Sequence, residues 1–181
     1  MKSLRQTRLD NEWSALQRLA AYNPGLITLE ARKAGAMEER FELTIKGTPS
    51  PIMTRAGVEI VDSQRIAVQF PAYFPAVPMQ VFVSPPVLHP NVHPETGFVC
   101  IWDRTSPGDS ILDALTMLQR VIAWELHNAR ADHVMQPEAL DGGYAPLPYR
   151  ALRIPPDLKA ELDARCRPPC GRRPRLSSSS E

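Results

Sequence analysis

Apolar residues along this chain change their spacing twice, from helical to alternating and back, and each spacing predicts its own kind of element. Leu9, Trp13, Leu16 and Ala20 recur at helical intervals and draw one stripe. Ser3 with Gln6 has the spacing of a capping box that opens this helix, and Asn23-Pro24-Gly25 closes it. The pattern then turns to strict alternation. Phe41, Leu43 and Ile45 point one way, as do Ile66, Val68 and Phe70, which is the period of half-buried strands. Strands are predicted over Leu26 to Ala31, Glu39 to Lys46, Arg65 to Phe70 and Met79 to Val83, while Gly57 to Val61 is ambiguous. Short connections rich in turn residues make a four-stranded antiparallel meander the economical topology. The helical period returns at Ile111, Leu115, Leu118, Ile122 and Leu126, for a helix of about four to five turns. Ser110 is its predicted N-cap with Asp113 at the supporting offset, and Gln119, Arg120 and Glu125 fall outside the apolar stripe.

These elements add up to an α+β domain, with an N-terminal helix, the meander, a loop, and a long helix packed on the sheet. The domain is expected to span residues 1–150. Residues 151–181 read as an extension, with a short helix at Leu158 and Leu162 and a disordered tail after Arg165.

Composition narrows the classes. Lys and Arg total 21 against 20 Asp and Glu, a net charge of +1, which argues against coating nucleic acid or anionic membrane. The 19 prolines cluster at Pro71 to Pro94 and Pro137 to Pro174, so stiff loops are expected rather than long helices. No window approaches the roughly 20 apolar residues of a membrane helix. The basic N-terminus lacks an uninterrupted apolar run. A cytoplasmic protein with reduced thiols is expected. Cys166 and Cys170 form a CxxxC pair without two further ligands nearby, too little for zinc.

The candidate chemistry lies at His89-Pro90-Asn91, followed by Gly97 and Cys100. Pro90 fixes its own φ and restricts His89, giving a stiff turn. Asn91 offers an amide to the local backbone or to a developing oxyanion. Gly97 permits a close approach before the cysteine. A thiolate is a strong nucleophile near neutral pH without a dedicated strong base. Considered alone, Cys100 between Val99 and Ile101 also fits a small buried hydrophobe. His89, His93 and Cys100 are zinc ligands by type, but their spacing matches no common finger and a fourth ligand is missing.

Four pieces in order resemble the core of the ubiquitin-conjugating enzyme family. They are Phe41-Glu42-Leu43-Thr44-Ile45-Lys46-Gly47, a strand with its closing Gly, and Phe70-Pro71-Ala72-Tyr73-Phe74-Pro75, with Tyr73 or Phe74 as the family's aromatic. Pro78-Met79-Gln80-Val81-Phe82-Val83 and the His89-Pro90-Asn91 turn leading to Cys100 complete the set. The resemblance implies a UBC-like fold and an acyltransferase. Cys100 would accept a ubiquitin-like modifier as a thioester from an activating enzyme and pass it to a lysine of a target protein. It implies that Asn91 supports the active-site loop or steadies the oxyanion, and that His89 and Pro90 are structural. It also implies an acid beyond the long helix that orients the acceptor amine, for which Asp132 is the candidate and Asn128, His127 and Asp103 are competitors. Arg5 and Arg8 become candidate contacts for the activating enzyme, against the plainer reading of a solvated helix face. No cofactor is expected, and the need for a ligase stays open.

The departures from the family are specific. One extra residue sits between Asn91 and Cys100, and Trp102 stands where an aspartate is usual, with Asp103 one place later. Ala76 and Val77 replace the usual ligase-facing aromatic, and the Pro-Asn pattern after the long helix is missing. These mark a divergent member of the kind found in compact bacterial conjugation systems, which are associated with antiphage defence. The rival reading is a non-catalytic UBC-fold scaffold that binds a modifier or a partner enzyme, although such variants typically lack the cysteine. A cysteine hydrolase or redox protein would need a Cys-His-Asp set or a C-x-x-C motif, and neither stands out here.

Overall fold

The computed structural model describes residues 3–35, 38–101, 105–128, 134–142, 145–158 and 160–161. Helix α1 spans Leu4–Tyr22 and begins where Ser3 Oγ accepts the Gln6 N–H at 3.1 Å. The Gln6 side chain bonds Asp10 at 3.2 Å, so only half of the expected capping box forms. Of the predicted stripe, Leu9 and Leu16 are buried and Trp13 and Ala20 pack against the core, and Leu19, which the stripe did not include, is buried as well. Glu12 is buried with them.

Five strands follow, β1 (Ile27–Ala34), β2 (Glu39–Thr54), β3 (Gly57–Phe70), β4 (Gln80–Ser84) and β5 (Phe98–Val99), hydrogen-bonded antiparallel in that order. The alternating positions Phe41, Leu43, Ile45, Ile66, Val68 and Phe70 are all buried on one face, joined by Val81 and Val83. An aromatic row crosses this core, with Trp13–Phe41, Phe41–Phe70 and Phe70–Phe74 centroids 4.9, 4.6 and 4.9 Å apart. Phe74 is therefore the core aromatic of its segment, while Tyr73 is exposed.

Three expectations need correction. Gly47 does not close β2. It takes a φ of 73° at a register shift between Lys46 and Ser50, and the strand runs on to Thr54. The ambiguous run Gly57 to Val61 is the first part of β3, paired with residues 50–54. The meander has a fifth strand, too short at two residues to show a period.

Helix α2 spans Ile111–Ile122, with the full Ser110/Asp113 capping box. At 12 residues it makes a little over three turns, and it does not reach Leu126. Trp124 takes a φ of 62° just beyond it and reverses the chain. Leu126 still packs against the core, from outside the helix, which explains why it kept the apolar period. Gln119 is also buried rather than solvated. Its Nε2 donates to Thr48 Oγ1 at 2.8 Å and to the Arg150 carbonyl at 3.1 Å, and its Oε1 accepts the Leu152 N–H at 2.9 Å.

Helix α3 spans Glu138–Asp141, and residues 156–158 and 160–161 are helical. Leu152 and Leu158 are buried in the main core. Leu162, Cys166 and Cys170 lie outside the described residues.

Candidate active site

The approach to the site is anchored before the turn begins. Val87 is fully buried and bridges Ile52 of β2, and the Leu88 N–H donates to the Pro51 carbonyl at 2.7 Å. His89 is fully buried, and its Nδ1 accepts the Asn91 N–H at 3.1 Å while its carbonyl accepts Val92 N–H at 2.9 Å. Pro90 has no N–H to donate, so the first side-chain-held donor of the turn is the Asn91 N–H, which the His89 ring accepts. Burial, with the charge of His127 adding to it, lowers the His89 pKa to about 3, partly opposed by the Leu126 backbone. A neutral imidazole of this kind is a poor proton acceptor at physiological pH, which suits a turn brace.

The loop from Val92 to Val99 closes as a small hairpin, with those two residues bridged. His93 N–H donates to the Phe98 carbonyl at 2.8 Å, and His93 Nδ1 accepts the Glu95 and Thr96 N–H groups, each at 3.3 Å. Gly97 is required on two grounds. Its φ is 70°, and a Cβ placed on it would lie 2.0 Å from the Val83 carbonyl oxygen. The expected close approach is thus a contact with β4, sealed by the Val83 N–H donating to the Gly97 carbonyl at 2.8 Å.

Cys100 follows β5 directly. Val99 and Ile101 turn inward, so the cysteine between them takes the outward position and is half-buried. It is not in a disulfide. Asn91 grips it twice. The Asn91 carbonyl accepts the Cys100 N–H at 2.8 Å, and Asn91 Nδ2 donates to the Cys100 carbonyl at 3.0 Å. Asn91 Oδ1 accepts the Asn128 N–H at 2.9 Å, so the same amide also reaches the segment after α2. One Nδ2 proton remains beyond the bond to Cys100.

The structure thus brings His89, Pro90, Asn91, Gly97 and Cys100 into one unit. Asp132 and Asp103 lie outside the described residues. Asn128 is tied to Asn91 through its backbone, and exposed His127 precedes it with its ring 5.8 Å from that of Trp124. Arg5 and Arg8 are half-buried staples of α1. Arg5 Nη2 donates to the Phe70 and Pro71 carbonyls at 3.2 Å, and Arg8 Nη2 donates to the Asp109 carbonyl at 2.9 Å. A groove of about 410 Å³ lies elsewhere, on the outer sheet face among Glu30, Arg40, Glu42, Arg65 and Phe82.

Sequence reasoning missed Trp124 and Gln136, which hold the turn from behind. A signal for Trp124 existed: it sits off the apolar stripe, and a large indole on the polar side of a predicted helix signals that the helix has already ended. Gln136 left none, because a glutamine in a polar loop is ordinarily solvated.

No family model and no curated protein sequence matches the chain. Solved structures do. One described as a ubiquitin conjugating enzyme from Trypanosoma cruzi superposes with a TM-score of 0.53 at 20% identity, covering 90% of this chain and 99% of that one. Another, from Plasmodium yoelii and of the same description, gives a TM-score of 0.50 at 18% identity over 77% of this chain and 82% of that one. At such identities the likeness is one of architecture, and by architecture this chain is a divergent member of the ubiquitin-conjugating (UBC) fold.

Proposed function

We propose that the chain is a ubiquitin-conjugating-type carrier with Cys100 as its nucleophile. The observation that carries this reading is the position of Cys100: outward-facing on an extended segment whose backbone is gripped on both sides by Asn91. Thioester exchange needs such an accessible thiol beside a shallow surface, not a deep pocket with a strong base. In the first step the Cys100 thiolate attacks the thioester of a charged activating enzyme and takes the modifier's C-terminal acyl group. The activating enzyme's thiolate leaves. In the second step a target lysine amine attacks the Cys100 thioester, an amide forms, Cys100 leaves as thiolate, and the amine's proton passes to solvent. Asn91 supports the active-site loop, and its remaining Nδ2 proton is available to the oxyanion formed when lysine attacks the thioester. ATP is consumed by the activating enzyme, so this chain requires no cofactor of its own.

Within this reading the acceptor amine is oriented from the segment after α2, by Asp132 or by His127. The departures at Trp102 and Ala76 favour a compact bacterial system in the cytoplasm, with a modifier and activating enzyme of its own and a role in antiphage defence. Among the described residues no helix is long and apolar enough to cross a membrane.

The test is a charging assay with ATP and with the activating enzyme and modifier encoded nearest to this chain. A mass increase of one modifier, reversed by thiol reductant and lost in Cys100→Ala, is the expected result. Failure to charge beside a demonstrably charged activating enzyme would leave the scaffold reading.

A further inference from the structure

Trp124, Asn128, Met135 and Gln136 together touch every residue from Val87 to Val92. Gln136 Nε2 donates to the Val87 carbonyl at 2.9 Å and to the Val92 carbonyl at 2.7 Å, straddling the turn. Trp124 Nε1 donates to the Leu88 carbonyl at 3.1 Å, and its ring meets that of His89 edge-on at 4.6 Å. Met135 N–H donates to the Pro90 carbonyl at 2.8 Å, and Asn128 N–H to Asn91 Oδ1. Trp124 and Gln136 are both buried, at 4% exposure each. Trp124 also holds a left-handed backbone conformation at φ 62°, which is unfavourable for a bulky residue and persists only where the surroundings enforce it. Here the return is the indole's placement against Leu88 and His89.

We propose that Trp124 and Gln136 are positioning residues for Cys100, acting through the turn: they fix residues 87–92, and Asn91 passes that fixed geometry to the cysteine through its two bonds. Neither residue needs to touch a substrate. The effect on transfer rests on the carrier function proposed above, whereas the effect on Asn91 and Cys100 does not, and the test keeps the two apart.

Two substitutions in the full chain remove these hydrogen bonds while keeping an apolar side chain in place. Trp124→Phe keeps a ring beside His89 and removes the N–H to Leu88. Gln136→Met removes both bonds across the turn. In nuclear magnetic resonance spectra of folded protein, both are expected to shift the Asn91 side-chain amide and the Cys100 backbone amide and to speed their exchange with solvent. The charged protein is expected to discharge to free lysine about ten- to a hundredfold more slowly at saturating lysine, the scale of loss from a small misplacement. The half-saturating lysine concentration and the charging step should stay within about threefold on the same argument. Trp124→Leu, which lacks the ring, should lose more than Trp124→Phe. Unchanged Asn91 and Cys100 signals in folded Gln136→Met would overturn the proposal, as would a discharge rate that falls only in proportion to the unfolded fraction. The spectral changes in a protein that never charges would support the positioning and overturn the carrier reading instead.

Discussion

His89 and Glu12 are two buried ionisable side chains whose burial acts on stability in opposite directions. The fold holds His89 neutral down to about pH 3, whereas the unfolded chain protonates it near its ordinary value of 6.5. Between those limits the unfolded state binds more protons, so stability falls as pH drops, by at most about 1.4 kcal/mol per pH unit from this one group. Glu12 is held above the usual carboxylate range by burial, against the Ile111 N–H and Arg8 that favour its charge. The fold therefore takes up a proton there more readily than the unfolded chain, a contribution present at low pH and lost as pH rises through the folded value. Urea unfolding from pH 7 to pH 4 is expected to show a flatter acid loss in His89→Gln and a steeper one in Glu12→Gln. Identical slopes in His89→Gln and wild type would mean that the imidazole is not buried neutral. For Asn91→Ala, charging of Cys100 should survive while transfer to lysine slows by about 100- to 1,000-fold, the scale of one lost oxyanion donor. Equal loss of both steps in a folded variant would remove Asn91 from the chemistry.

The elements divide by how their residues signal themselves. Phe41, Leu43, Ile45, Ile66, Val68 and Phe70 announced their strands because one face of the sheet is buried and the other is not. Ser110 and Asp113 announced the start of α2 because a cap is a local, side-chain event. The end of α2 was hidden, since Leu126 stays in the apolar rhythm while the backbone has already turned at Trp124. Periodicity reports burial, and burial continued past the helix. Gln119 was hidden for the opposite reason: a polar side chain satisfied by Thr48, Arg150 and Leu152 looks in sequence like one satisfied by water. In Gln119→Leu those partners lose their bonds at a cost of about 1–3 kcal/mol for each group left buried and unpaired. Hydrogen exchange at the Leu152 amide should rise before that of the β2–β3 pairs. Unchanged protection at Leu152 would show that α2 does not hold this segment.

Taken whole, the molecule is knitted by links between distant parts of the chain. Glu12 on α1 accepts the Ile111 N–H at the start of α2 at 2.8 Å, and Asn23 bonds the Arg153 backbone at the other end of α1. Residues 150–158 close over the core from the far end of the sequence, with Arg150 N–H on the Gly47 carbonyl and Leu152 and Leu158 buried. From sequence the domain is expected to end at 150, with only a short helix at Leu158 and Leu162 beyond it, because an isolated leucine such as Leu152 carries no period. A chain ending at Arg150 is expected to melt well below the full chain, since each lost buried leucine removes about 2–5 kcal/mol. Coincident melting curves would support the boundary expected at 150.

Several of the bonds that grip the loop carrying Cys100 are side chains reaching for main chain. Asn91 holds the Cys100 carbonyl, Trp124 the Leu88 carbonyl, and Gln136 the carbonyls of Val87 and Val92. A peptide carbonyl is the same group whatever residue bears it, so the receiving positions can change identity without loosening the grip. The donors, the accepting His89 ring, the stiff Pro90 and the crowded Gly97 are the chemically specified positions. A chain built this way can change many residues of the loop and still hold Cys100 where Asn91 grips it.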